Sequence, residues 1–304
     1  MTAERAQEVG GLAAPRVARR PFPPRWGRLF GKIIPQAVGP RLVLLAFCVF
    51  FLIPFYWMAT SAFKTTAELN NFPPTLFPKS LDFKNFYDAV TVVPFPTFFL
   101  NSVILTTGIA LGSAISNPLI AYGFSRLKWP GRDLMFGLVM ATIFVPYPAL
   151  IVALFDIFAK LGWINTFLPM IVPAFFGQPF FIFLMRQFFM GLPMEVSEAA
   201  RIDGANEFQI FLYIIMPLAR PAVAVVVIFA AVAAWGEFLA PLLFLQEETK
   251  YPLSIGLQFY RQEHDVAYNL LMAASTLIVL PIVALFIAFQ RFFIEGVTVG
   301  SVKG

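Results

Sequence analysis

PMEVSEAARIDGANEFQIFLYIIMPLARP, residues 193–221, is one of two places in the second half of the chain where charged residues gather amid apolar sequence. Its pattern predicts a short amphipathic helix. Pro193 suits a first helical turn, where a missing N–H costs little. Glu195 and Glu198 fall in the early turns and favour the positive end of the helix dipole. Val196, Ala199, Ala200 and Ile202 make a small, smooth apolar stripe at helical spacing. Arg201 and Asp203 come late, and Gly204 predicts a stop or a sharp bend. A second amphipathic run, Glu207 to Ile215, leads to Pro217 and the next apolar span.

The sequence around this stretch excludes a soluble protein. Of 304 residues 59% are apolar and 13% charged, with 37 Phe. Uncharged runs of about 20 residues, enough to cross a bilayer, recur along the chain. The single cysteine, Cys48, sits in such a run, so no disulfide framework or cysteine metal site is expected. One histidine, His264, excludes a multi-histidine metal centre. The net charge of +5 is better explained by membrane topology than by nucleic acid, since no aromatic–basic stripe accompanies it.

Taken in order, the chain predicts an all-α membrane protein of six spans. Residues 1–41 are a basic tail, with a stretch near Trp26–Ile34 suited to a membrane surface. The transmembrane region is 42–293. Its spans are placed within Leu42–Phe63, then at Phe98–Tyr122, Leu134–Phe155, Thr166–Met185, Ala222–Leu245 and Asn269–Gln290. Leu81–Val90 is expected as a short surface helix, and 294–304 as a C-terminal tail. Prolines puncture every span. They are tolerated where neighbours satisfy the freed carbonyls, and they kink helices.

Six spans put both termini on one side. With that side cytoplasmic, sixteen of the 22 Lys and Arg lie inside, and the positive-inside rule is satisfied. The same arrangement puts residues 193–217 in the cytoplasm, along with both termini.

Glu198-Ala199-Ala200, three residues, Gly204, nine residues, Ile214, one residue, then Met216-Pro217, resembles the EAA signature of bacterial ABC-importer permeases. Met216 stands where that pattern has Leu. The longer EAARIDGAN…MPLARP resembles the carbohydrate branch, the maltose-permease-like second subunit. The resemblance implies a coupling helix, with Glu198, Ala199, Ala200, Asp203 and Gly204 meeting a cytoplasmic ATPase. It also implies a second, different permease, an ATP-binding cassette dimer and an extracytoplasmic solute-binding protein as partners. The membrane lipid surrounds the assembly, and nucleic acid has no part in it. ATP and Mg belong to the ATPase chains, so this chain is expected to bind no cofactor and to carry no catalytic residue or metal.

Two other stretches carry the likeness. Trp235-Gly236-Glu237-Phe238-Leu239-Ala240-Pro241 is similar to the family's WNEFLxPL, with Gly236 replacing Asn. Glu237 is the one ionisable residue deep in a predicted span, and such a group usually faces an interior or a wet cavity. Glu237 and Trp235 are therefore candidates for the translocation path. The ending Ile294–Gly304 resembles the GLTAGAVKG tail of the same group, which makes Gly300, Lys303 and Gly304 candidate ATPase contacts. The loop Gln246–Tyr268 corresponds in position to the family's outer loop, and the resemblance alone implies that it probes the solute-binding protein.

Gly108, Gly112 and Ser116 form a small-residue stripe for close helix packing, expected within the chain. Enzyme readings fare badly. Ser61-Ala62-Phe63-Lys64 fits S-x-x-K without its companion motifs, and no G-x-x-x-x-G-K-[ST] phosphate loop exists. The alternative is a self-contained channel or secondary carrier, which would leave the EAA spacing unexplained.

Overall fold

The computed structural model describes residues 38–261 and 267–299, with side chains as far as Phe289. The expectations for the basic tail up to residue 37, and for Gly300, Lys303 and Gly304, lie outside the described residues. The chain divides into a first unit ending at Pro54 and a second from Phe55 onward.

Helix α1, Val38–Ser61, crosses that division and contains Pro54. It begins four residues before the expected span. Residues 40–56 are exposed, as befits an apolar helix with lipid for solvent.

The polar loop that follows is tightly satisfied. The Lys64 ammonium lies 4.5 Å from the Trp57 ring centre and donates to the Thr75 carbonyl. The buried Glu68 carboxylate accepts from Thr75 Oγ1 at 2.8 Å and from the Lys79 N–H at 3.1 Å. Helix α2, Lys84–Thr91, is the expected surface helix. Its Asn85 is buried, donates to the carbonyls of Ala62 and Lys64, and accepts from Asn269 at 2.8 Å.

Helix α3, Phe95–Ser125, is the axis of the second unit. It starts with a proline in its first turn and runs 31 residues without a charge. The small-residue stripe lets other backbone come close. A methyl group on Gly108 would sit 2.8 Å from Ile171, and one on Gly112 would sit 2.8 Å from Phe175. Ser116 Oγ donates to the Ala174 carbonyl at 2.8 Å. The stripe is thus used inside the chain, as its sequence suggests, and such van der Waals packing is what drives helix association in lipid.

The third expected span, Leu134–Phe155, is sharply bent at its prolines. Helix α4, Arg132–Ala141, runs through the 3₁₀ turn Thr142–Phe144, and after a 100° bend helix α5, Tyr147–Lys160, begins. Pro146 holds Val145 extended, and Pro146 and Pro148 have no N–H to continue the ladder. The fourth span starts with Leu168–Ile171 and the 3₁₀ turn Val172–Phe176, opens at Gly177-Gln178, and resumes as helix α6, Pro179–Gly191. The helix runs past the expected end at Met185, and the Arg186 side chain reaches the Phe124 carbonyl and lies 4.1 Å from the Phe136 ring centre.

Helix α7, Glu195–Ile202, is the expected amphipathic helix. A short turn, Glu207–Gln209, then leads through a π-helical stretch, Ile210–Ile215, to Met216–Leu218. Helix α8, Arg220–Gly236, meets this elbow at 79° and stops at Glu237, and helix α9, Leu239–Phe244, follows. Helix α10 is Tyr268–Val299, so residues 294–299 continue the last helix instead of starting a tail.

Among the described residues four helices are long and apolar enough to cross a membrane, and six spans result if each bent pair counts as one. The buried core lies in three clusters. One joins Tyr122, Phe189, Ala200, Phe211 and Ile215; a second joins Ala89, Phe98, Trp235 and Tyr260; a third joins Ile151, Phe158, Ala240 and Phe244. Phe98 and Tyr122 are both on α3, about 36 Å apart at 1.5 Å per residue, so that helix spans the first two clusters.

Candidate functional site

The exposed part of α7 and its supports make up the first candidate site. Pro193 stands just before the N-cap residue Met194, not inside the first turn as expected, and no side chain caps the helix there. Glu195 and Glu198 compensate from the first turn. The C-terminus is a full Schellman closure. The Ala205 N–H donates to the Ala200 carbonyl at 3.0 Å and the Gly204 N–H to the Arg201 carbonyl at 3.1 Å, with Gly204 at φ +88°. Glycine takes that left-handed backbone freely, whereas a residue with a Cβ is strained there.

The expected single apolar stripe divides in two. Ser197 and Ala200 turn inward, and Ala200 joins the core with Ile210, Phe211 and Ile215. Val196, Ala199 and Ile202 turn outward with Glu198, Asp203 and Gly204, and Ile202 is 86% exposed. Of the five expected docking residues, four are presented and Ala200 holds the helix down.

Two side-chain ties brace α7 against the end of α3. At its start, Arg126, the C-cap residue of α3, is buried and donates through Nη2 to the Leu192 carbonyl at 2.9 Å and through Nη1 to the Pro193 carbonyl at 3.3 Å. Burial lowers its pKa from the usual guanidinium range. At the other end, Arg201 Nε donates to Glu207 Oε1 at 2.6 Å, and Tyr122 on α3 donates its hydroxyl to Glu207 Oε2 at 2.6 Å. The hydrogen bond to Glu207 raises the pKa of Arg201. Beyond it, Asn206 and Gln209 form a reciprocal capping box, each bond 2.9 Å.

In the sequence Arg126 is one of the many basic residues that set topology, Tyr122 is the end of a predicted span, and Glu207 begins an amphipathic run. Glu207 lies 85 residues from its tyrosine partner, so no local pattern joins them.

Glu237 and Trp235 part company. Trp235 is buried, donates its indole N–H to the Ile278 carbonyl at 3.1 Å and packs edge-on to Phe99. Glu237 ends α8, its Oε1 accepting the Ala240 N–H at 3.1 Å, and it lines a cavity of about 350 Å³. The structure adds Tyr147 and Gln178 to that lining, neither of them singled out from sequence.

The described part of the Gln246–Tyr268 loop is tied to the turn after α5. Asn165 Oδ1 accepts the N–H groups of Gln246 and Glu247 at 3.2 Å each, and Asn165 Nδ2 donates to Glu247 Oε1 at 2.6 Å. Hydrogen bonds from Lys250 and then Asn165 hold the Glu247 carboxyl below the usual range.

Residues 107–299 match the family described as binding-protein-dependent transport system inner membrane component. The arabinooligosaccharides transport system permease protein AraQ of Halalkalibacterium halodurans is 35% identical over 85% of this chain and 94% of its own length. The diacetylchitobiose uptake system permease protein NgcG of Streptomyces coelicolor is 32% identical over 86% of this chain and 87% of its own. The crystal structure of a bacterial ABC transporter involved in the import of the acidic polysaccharide alginate has a chain that superposes with a TM-score of 0.75 at 23% identity. The match covers 90% of this chain and all of that one, so the fold is shared. The chain belongs to the binding-protein-dependent inner-membrane component family and is a multi-pass permease subunit of the ABC-importer type.

Proposed function

We propose that this permease imports a carbohydrate and receives its mechanical drive through the outward face of α7. The reading of a sugar rests on relatives named for saccharide transport, which span nearly the whole chain. Permeases of this family work with an ATPase and a solute-binding protein. The finer partner set is a second, different permease completing the pore and two ATPase chains that carry ATP and Mg. Both termini and α7 then lie in the cytoplasm, in keeping with the distribution of Lys and Arg.

The observation that carries the coupling role is the construction of α7. It presents a small apolar strip, edged by Glu198 and Asp203, on a helix too short to be stable alone. The Schellman closure and the braces to α3 hold it in place. A loose surface helix would absorb a push, whereas a braced one passes it on. ATP binding can do work here only if the ATPase meets α7 differently in its two states.

The test is Glu198→Lys in the complete transporter. Membrane insertion and yield are expected to persist while uptake and solute-stimulated ATP hydrolysis fail. Normal uptake by this variant would remove α7 from the coupling role. Purification of this chain alone, fully active in vesicles, would favour the self-contained carrier.

A further inference from the structure

Three membrane segments lose their helical hydrogen bonding, and residues at or beside all three breaks line one space. They are the Val145-Pro146 break before Tyr147, the Gly177-Gln178 break before α6, and the Glu237-Phe238 break between α8 and α9. Tyr147, Gly177, Gln178, Glu237 and Ala240 line the cavity of about 350 Å³ described above. Pro146, Gln178 and Glu237 all have extended backbone, with ψ of 130°, 127° and 125°. Irregular backbone at membrane depth persists only where it is buried in protein or lines a cavity.

The chain uses dedicated side chains to keep two of these breaks open. Asn117, fully buried on α3, accepts the Gln178 N–H at 2.7 Å. Ser254 donates to the Glu237 carbonyl at 2.6 Å, and Ser116 to the Ala174 carbonyl just before the second break. With the backbone satisfied, polar side chains remain available. The Tyr147 hydroxyl, the Gln178 amide and Glu237 Oε2 have no hydrogen-bond partner among the described residues. They offer donors and acceptors beside the apolar walls of Leu154, Phe158 and Met170.

Resting on the saccharide reading above, we propose that this cavity is a sugar subsite belonging to this subunit, and that Glu237 restricts it to uncharged saccharides. The volume falls within the range of about 300–1,000 Å³ of small-molecule sites. A sugar ring needs both kinds of hydrogen-bond partner for its hydroxyls and an apolar wall for its C–H face, and the lining supplies each. Apart from the Tyr147 phenol, Glu237 is the one ionisable side chain among the described lining residues, and it is an acid. A carboxylate in a low-dielectric cleft focuses its field on whatever enters. A uronate or a sugar phosphate would bring a like charge to it with no cation among the described lining residues to offset the repulsion, which is exclusion by an unfavourable contact.

The test uses the assembled transporter in membranes. Cysteine replaces Ala234, which lines the cavity, on a Cys48→Ser background. Labelling rates are measured for a cationic and an anionic methanethiosulfonate of similar size, each normalised to its rate with a free thiol in solution. The cation is expected to react roughly tenfold faster, and Glu237→Gln to bring the two normalised rates together. Equal rates with Glu237 in place, or a preference that survives Glu237→Gln, overturn the charge filter. Protection of the cysteine by neutral di- and trisaccharides, but not by digalacturonate or glycerol phosphate, supports the subsite. Protection by the charged pair instead overturns it. Failure of the saccharide reading itself shows elsewhere: cells carrying the wild-type transporter would take up no saccharide of the panel while the labelling preference stands.

Discussion

Tyr122 on α3 and Glu207 beyond α7 are joined by a 2.6 Å hydrogen bond, and the same carboxylate holds Arg201 of α7. One side chain thus links the exposed helix to the long axis of the second unit. Phe211 and Phe189 pack around the Tyr122 ring at centroid distances of 5.2 and 6.5 Å. The bond is therefore half-sheltered and set in a rigid aromatic surround.

Tyr122→Phe removes the donor and keeps the ring. Loss of one hydrogen bond to a charged acceptor costs about 1.5–3 kcal/mol. The expected outcome is a transporter that assembles but moves less solute per ATP hydrolysed, read as the ratio of uptake to phosphate release in proteoliposomes. An unchanged ratio would show that α7 does not act through α3 at this point.

Arg126 is expected to tolerate no substitute. Arg126→Ala leaves the Leu192 and Pro193 carbonyls without their donor and should destabilise the region by about 1–3 kcal/mol. Arg126→Lys should recover little, because an ammonium cannot reproduce the planar fork that serves two carbonyls at once. Thermal unfolding of the purified complex compares the pair.

Gly204→Val puts a β-branched residue at φ +88°, where open space offers no relief from backbone strain. A cost of at least about 1–2 kcal/mol is expected, paid in the orientation of α7. Uptake should fall more than membrane insertion, measured by transport assay and by quantitation of the chain in membranes.

A protease site inserted after Asp203 is expected to be cut only from the cytoplasmic face, and one beside Asp82 only from the opposite face. Residue 203 is exposed, while residue 200 is buried and would report nothing. Sealed vesicles of both orientations supply the measurement, and cleavage of both sites from one side would overturn the topology.

The tie between Asn165 and Glu247 carries a pH signature. Lys250 and Asn165 depress the folded pKa of Glu247. Its contribution is present above the ordinary carboxylate range and is lost as pH falls through the lowered folded value. Amide protection factors at Gln246 and Glu247, with each rate corrected for its intrinsic rate at that pH, should hold through mildly acidic pH and fall only below it. Glu247→Gln should flatten that profile.

The amphipathic helix at 195–202 was legible because its signals are local: first-turn acids, helical spacing and a glycine stop. Its supports were not. Arg126 and Glu207 owe their roles to partners 66 and 85 residues away, at separations where sequence pattern carries no information. The prolines were visible, yet their effects differ. Pro54, Pro118 and Pro281 stay inside continuous helices, whereas Pro146 and Pro179 stand where the chain opens. The distinction lies in what surrounds them, as Asn117 does for Gln178, and only the packed structure reveals such neighbours.

The notch over Gly108 and Gly112 is already filled, by Ile171 and Phe175 of the same chain. No helix from another molecule can reach backbone distance there. Any neighbour this permease acquires in the bilayer must pack along a different seam, so these two glycines mark where it does not sit.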